Sequence, residues 1–160
     1  MGDSSKFVLM LFPPGLQGAV WQIGLRSQRL CVIWESADVN LVDSLNYLRV
    51  TGVALPDLLL IDTRLQGLRP YRICRWCHQY SPQIKVLLVN GAQLEVTEAE
   101  RQWAIYQGAA DLLPQLDRHR MISMTIKNVK RALELIEGPK LDCKTLVSVL
   151  LALTRVNNLK

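Results

Sequence analysis

The sequence predicts an α/β fold in which a parallel five-stranded sheet lies between two layers of helices. Two observations carry this prediction: five apolar runs of strand length recur along the chain, and segments with helical periodicity separate them. Runs that are apolar throughout are typical of strands covered on both faces. Short connections between alternating units imply parallel pairing through right-handed crossovers, with helices on both sides of the sheet.

Five strands are expected from these apolar runs. In chain order the runs are KFVLMLF, RLCVIW, DLLLID, IKVLLV and the shorter DLLP, at residues 6–12, 29–34, 57–62, 84–89 and 111–114. None of them alternates with polar residues, so we expect every strand to be covered on both faces.

Helices are predicted between the strands from apolar spacing and end signals. The segment 41–48 places apolar residues on one face, and Pro70, a favoured first-turn residue, begins the helix PYRICRWCHQY. Thr97 and Glu100 have the spacing of a capping box, and Gly108 ends the helix that they begin.

Two more helices are expected after the last strand. The first begins at Asp117, a suitable N-cap, and ends at Gly138; its apolar stripe is Ile122, Ile126, Val129, Leu133 and Ile136. The second begins near Leu141, and its apolar residues spread around most of its circumference, so it should be buried against this domain, another copy or a partner. The architecture is therefore a flavodoxin-like (βα)5 three-layer sandwich over residues 1–137, with a C-terminal extension over 138–160.

Composition and charge restrict the class of protein. A chain of 160 residues with 49% hydrophobic content is the size of one domain. Its apolar runs fall short of the ~20 residues that a membrane-spanning helix needs. The start of the chain lacks a basic region before its apolar stretch, so we expect no membrane insertion, a cytoplasmic location and four reduced cysteines. The net charge of +5 gives modest support for an anionic partner.

The string CRWCH at 74–78 fits the attachment motif of c-type haem. On the predicted helix Cys74 and Cys77 would face the sheet, and free cysteine is among the most buried residue types, so core packing is the favoured interpretation. The alternative is a redox or haem sensor that uses Cys74, Cys77 and His78. A zinc site would need two more ligands from positions that lie far apart, so neither a cofactor nor a metal is predicted.

The stretch PDLLLIDTRLQGLRPYRICRWCHQYSPQIKVLLVNG resembles the receiver domain of bacterial response regulators, and GAADLLPQL continues the resemblance. The resemblance covers residues 6–116 and implies a phosphorylation site at the carboxyl ends of the strands. It places Asp62 at the phosphoacceptor position. At the position of the acidic pair that binds magnesium, this chain has Phe12, Pro13 and Pro14, none of which offers a carboxylate.

Three further positions of the receiver site also depart from the family. The resemblance implies that Asn90 replaces the phosphoryl-contacting Thr or Ser, Gln115 the lysine, and Leu112 the switch aromatic. Metal and lysine supply much of the electrostatic stabilisation in phosphoryl transfer. The resemblance is therefore to a pseudo-receiver, a non-enzymatic signalling module of a kind found among cyanobacterial clock-associated proteins, which acts through protein contact. A phosphorylatable receiver of a transcription regulator is the alternative within the family.

Two groups of residues are candidates for partner contact. Arginines at 64, 69, 72 and 75 form either a basic rim that balances Asp62 or meets an acidic partner, or a solvated helix face. The fourth and fifth helices carry the second group, which is Trp103, Tyr106, Arg118, Lys127 and Arg131. A protein partner is expected there or on the C-terminal helix, and a homodimer is left open. Nucleic acid is not favoured, because the chain shows neither a groove-reading helix nor interleaved aromatics.

Overall fold

The structure, a computed structural model, describes residues 5–38 and 40–158. One sheet contains the strands β1 (Phe7–Leu11), β2 (Cys31–Trp34), β3 (Leu58–Asp62), β4 (Lys85–Asn90) and β5 (Asp111–Pro114). All neighbouring strands are parallel, in the order β2-β1-β3-β4-β5. The predicted fold class is thereby confirmed. Residues 1–4, which belong to the segment on which the prediction of a cytoplasmic location rests, lie outside the described residues. Residues 159–160 of the C-terminal extension lie outside them as well.

Helices cover the two faces of the sheet. They are α1 (Leu16–Arg26), α2 (Leu41–Thr51), α3 (Pro70–Tyr80), α4 (Glu98–Tyr106), α5 (Met121–Leu135) and α6 (Cys143–Asn158). One apolar cluster joins the sheet to α1, α5 and α6, and the other joins it to α2, α3 and α4. Within the described ranges, no helix is long and apolar enough to cross a membrane.

The central strands carry the burial that the sequence predicts. Leu58 and Leu60 of β3 belong to the cluster under α1 and α5, whereas Leu59 and Ile61 belong to the opposite one. Each of these four side chains is fully buried, and each such burial is worth roughly 1.5–3 kcal/mol relative to exposure. An apolar strand covered on both faces therefore places Asp62, its last residue, against the core.

The expectation that every strand is covered on both faces is wrong for β2. This strand lies at the edge of the sheet, and its residues Cys31 and Ile33 are exposed, Ile33 to 43%. The reason is that α2 packs Leu41 and Leu45 into the cluster formed with β1 and β3, which leaves the outer face of β2 open.

The start of α4 is as expected, whereas the start of α5 is not. Thr97 and Glu100 form the predicted capping box: Thr97 Oγ1 accepts from the Glu100 N–H at 3.2 Å, and Glu100 Oε1 accepts from the Thr97 N–H at 3.3 Å. Asp117, however, caps a short 3-10 turn (Arg118–Arg120), and α5 begins only at Met121. The Asp117 carboxylate accepts from the His119 N–H at 2.9 Å. Asp117 is therefore an N-cap as predicted, but it caps the 3-10 turn that precedes α5.

The last helix, α6, packs against the same chain. Its Leu146 and Leu150 are buried in the cluster with α1 and α5. Gln28, which follows α1, holds the start of α6 in place. Its side-chain amide donates to the Asp142 carbonyl at 3.1 Å and accepts from the Asp142 N–H at 2.7 Å. Burial covers only one face of the helix, since Leu151 is 45% exposed. Of the three alternatives that the sequence left open, the structure shows packing against this domain for one face of α6.

A second buried carboxylate joins β5 to α4 and α5. Asp111 is 2% exposed, and it accepts from Arg101 Nε at 2.6 Å and Arg131 Nε at 2.8 Å. Burial acts to raise the Asp111 pKa, but the hydrogen bonds from the two arginines outweigh it and hold the pKa below its ordinary value.

We predict that replacing both arginines, Arg101→Met with Arg131→Met, destabilises the fold by about 3–5 kcal/mol near neutral pH, because the Asp111 carboxylate is left buried and unpaired. In the native protein the lowered pKa gives a stabilisation that is present above the ordinary carboxyl pKa of about 3.9 and lost as the pH falls through the lowered value. The difference between native and variant should therefore shrink in acid. Urea unfolding at several pH values measures it, with the exposed pair Lys130→Met and Lys144→Met as control. A loss that does not depend on pH would contradict this account.

Candidate functional site

Polar and apolar residues of the predicted receiver site lie along one edge of the sheet, at the carboxyl ends of the strands. Asp62 is the last residue of β3 and Asn90 the last of β4. Phe12 follows β1 directly, and Gln115 follows β5 directly. Open α/β sheets bind their ligands at this edge, so the structure brings the predicted positions together where a site would lie.

The carboxylate of Asp62 is completely buried and paired with Arg64. Arg64 Nε lies 3.2 Å from Oδ1 and 3.0 Å from Oδ2, and its Nη2 lies 2.7 Å from Oδ2. The Arg64 backbone N–H donates to Oδ1 at 2.9 Å as well. The hydrogen bond to Asp62 raises the pKa of Arg64 further above its ordinary value, against the opposing effect of burial. Both carboxylate oxygens are therefore engaged by one residue.

The close approach of this pair depends on Gly91. A methyl group at position 91 would fall onto Arg64 Nε and Asp62 Oδ2. The strand below is fixed, since the Thr63 N–H donates to the Val89 carbonyl at 2.8 Å. Gly91 is thus needed for space and not for an unusual backbone conformation. Nothing in the sequence patterns singled it out.

The β1 end of the site is apolar. Phe12 is buried, Pro13 is half-buried and Pro14 is exposed. Trp34, at the end of β2, donates from Nε1 to the Phe12 carbonyl at 3.0 Å, and its ring fills the space beside Gly18. An indole ring therefore lies against this end of the site, which offers no carboxylate. The sequence patterns did not identify Trp34 either.

Asn90, Gln115 and Leu112 have local roles. Asn90 Oδ1 accepts from the Ala92 N–H at 3.1 Å, which closes the turn after β4. The Gln115 backbone N–H donates to the Gln93 carbonyl at 2.9 Å. Leu112 is buried in the cluster under α3 and α4. None of the three contributes a cation near Asp62.

Asp62 is thus the one carboxylate among the predicted site positions, and Arg64 already occupies it. Mg²⁺ needs several hard oxygen ligands in near-octahedral geometry. Across residues 5–38 and 40–158, no three side chains of His, Cys, Asp or Glu lie close enough to hold a metal ion together. The donor set beside Asp62 therefore does not fit the magnesium ion of a phosphorylatable receiver.

Cys74 and Cys77 pack in the core under α3, as predicted. Both thiols are free and almost completely buried. Burial raises the pKa of each to about 12, so neither is a thiolate near neutral pH, and thiolates are the reactive form. His78, in contrast, is exposed. The three residues of the haem motif therefore do not present a common surface.

The predicted partner residues fall into two classes. Trp103 and Tyr106 on α4 are 57% and 83% exposed, and their rings stack with centroids 6.2 Å apart. Arg118 and Lys127 are exposed. Arg131 belongs to the Asp111 cluster and is held there by its ion pair.

The comparisons with known proteins agree with the fold. No family model and no curated protein matches the chain. Among solved structures, the crystal structure of the signal receiver domain of a protein described as a Luxo repressor, from Vibrio parahaemolyticus, is similar, with a TM-score of 0.54. The match covers 85% of this chain and 100% of that domain at 14% sequence identity. The chain therefore has the fold of a signal receiver domain, and the function of its site rests on its own residues.

We predict that Gly91→Ala lowers the free energy of unfolding by about 1–3 kcal/mol, because the added methyl group displaces the Asp62–Arg64 pair. Gly67→Ala is the matched control, since a methyl group there meets no atom within 4 Å. In the double variant Gly91→Ala with Arg64→Ala, the two costs should not add, because both act on one ion pair. Chemical denaturation of the native protein, Gly91→Ala, Arg64→Ala, the double variant and the Gly67→Ala control measures this. Simple additivity would show that Gly91 does not support the pair.

Proposed function

We propose that the chain is a pseudo-receiver, a non-enzymatic regulatory module that signals through protein contact and not through magnesium-dependent phosphorylation. The observation that carries the proposal is the occupation of both Asp62 oxygens by Arg64. The similarity to a signal receiver domain supports the class of module. The same proposal includes a relationship to the pseudo-receivers of the cyanobacterial type.

Phosphorylation of Asp62 requires an oxygen that is free to attack a phosphorus atom. Here the carboxylate is fully buried, so the pair with Arg64 would have to break before attack. Breaking the pair would leave the buried Asp62 carboxylate without its cation, which is unfavourable. No lysine at position 115 and no acidic pair at positions 12 and 13 would then stabilise the transferred charge. The arrangement therefore supports a permanently unphosphorylated state.

We predict that incubation with acetyl phosphate and Mg²⁺ leaves the mass of the intact protein unchanged. The reason is that Arg64 blocks the nucleophile while the metal ligands are missing. A receiver that retains its acidic pair and lysine serves as positive control, and Asp62→Ala as negative control. Stoichiometric phosphorylation that disappears in Asp62→Ala would overturn the pseudo-receiver proposal in favour of the phosphorylatable alternative.

A contact surface is proposed on α4 and α5. The stacked pair Trp103 and Tyr106 offers exposed aromatic area of the kind that anchors protein interfaces. Arg118 and Lys127 are exposed before and on α5 and add positive charge, which favours an acidic partner surface. The exposed side of α6 is the second proposed surface, and a second copy of the chain is one of the partners considered.

The proposal includes a cytoplasmic location and a division into residues 1–137 and 138–160.

We predict that the double variant Trp103→Ala with Tyr106→Ala loses the partner that the native protein captures from its own cells. Loss of two aromatic anchors should weaken binding by roughly tenfold or more. The matched control is Tyr47→Ala with Val50→Ala, which removes exposed apolar area from α2 instead. Mass spectrometry of the captured proteins, followed by titration of the purified partner, gives the result. Equal binding by both variants would exclude the α4 surface.

A further inference from the structure

A cleft lies beside the Asp62–Arg64 pair, between the connection that leads into α3 and the turn after β4. Its volume is about 580 Å³, which is within the range of small-molecule sites. Its lining residues are Thr63, Arg64, Gln66, Arg69, Pro70, Tyr71, Arg72, Arg75, Asn90 and Ala92. Four of these carry positive charge and none carries negative charge. The cleft is independent of the Asp62 oxygens, because Arg64 lies between them and the open space.

The arginines of α3 and its N-cap are not committed to carboxylates. In the described part of the chain, no carboxylate oxygen lies within 4.0 Å of Arg69, Arg72 or Arg75. Asp38 and Asp43 line a neighbouring cleft together with Arg69 and Arg72, yet they form no ion pair with them. Like charges held close together repel one another, so this arrangement is stabilised when an anion enters.

Hydrogen-bond donors remain available at the cleft. Arg64 uses Nε and Nη2 for Asp62, and its Nη1 donates no hydrogen bond to residues 5–38 or 40–158. Arg75 donates one hydrogen bond, from Nη1 to Gln107 Oε1 at 2.6 Å, and keeps its other donors. Guanidinium groups bind phosphate oxygens in a bidentate manner. Tyr71 adds an aromatic wall beside these donors.

We propose that this cleft binds a small phosphorylated molecule, whose phosphate group is held by Arg72 and Arg75. The lining favours a small molecule over a nucleic acid, because a nucleic acid would need a groove with several stacking aromatics and this cleft has one aromatic side chain, Tyr71. Binding would give the module an input that does not involve Asp62. This inference does not rest on the absence of phosphorylation, and it stands or falls separately.

The test is isothermal titration of the full chain with inorganic pyrophosphate and, separately, with ATP as probes. The double variant Arg72→Ala with Arg75→Ala removes two exposed helical side chains, so the fold should persist. The control Lys85→Ala with Lys144→Ala removes the same net charge from other exposed sites. We expect the native protein and the control to bind alike, and the arginine variant to bind roughly tenfold or more weakly.

Each outcome decides the proposal. Tighter binding of ATP than of pyrophosphate would support it with a nucleotide as ligand, and equal binding would support it with phosphate alone as the recognised group. The proposal is overturned if neither probe binds at millimolar concentration, or if the control variant weakens binding as much as the arginine variant. Should the arginine variant fail to fold by circular dichroism, Arg72→Lys with Arg75→Lys decides instead, since weaker binding with retained charge requires the bidentate guanidinium.

Discussion

The fully buried carboxylate of Asp62 is the constraint on which the rest of the carboxyl edge depends. A buried charge costs several kcal/mol unless it is paired and hydrogen-bonded. Arg64 meets this requirement with three side-chain contacts and one backbone hydrogen bond. The compensation for the buried charge therefore comes from a residue that lies only two positions further along the chain. The end of β1 contributes no charge to this compensation, because Phe12, Pro13 and Pro14 are apolar.

Asp111, the first residue of β5, is a second buried carboxylate that is compensated by arginine. Its carboxylate is also buried, and two arginines from different helices satisfy it. The consequence is mechanical, because the ion pairs join α4 and α5 to the strand between them. A surface whose helices are already fixed loses less conformational freedom when a partner binds. The aromatic pair on α4 is therefore presented by a pre-organised face, which suits recognition by contact.

The sequence predicted the fold well where a single physical effect dominates. Fully apolar runs identified β3 and β4, and the capping box located the start of α4. The outer face of β2 could not be predicted, since the run RLCVIW does not reveal that its strand lies at the edge. Compensation of Asp62 by nearby arginines was among the alternatives that the sequence left open, but the sequence did not show which arginine pairs with it; the structure shows Arg64. The pair also depends on the space left by Gly91, which follows a different strand and is therefore not adjacent in the sequence.

One segment of the chain, from Arg64 to Arg75, has two separate electrostatic consequences. Its first arginine compensates the buried Asp62 carboxylate through an ion pair. Its later arginines have no carboxylate partner in the described structure and face the open cleft. The net charge of +5 is therefore not spread evenly: arginines next to buried carboxylates are neutralised locally, and the excess remains at the start of α3 and along α5. Substitutions at Arg64 should consequently act on the compensation of the Asp62 charge, whereas substitutions at Arg72 should act on the charge of the cleft. The two residues are close in sequence, since Arg64 lies in the loop before α3 and Arg72 in α3 itself.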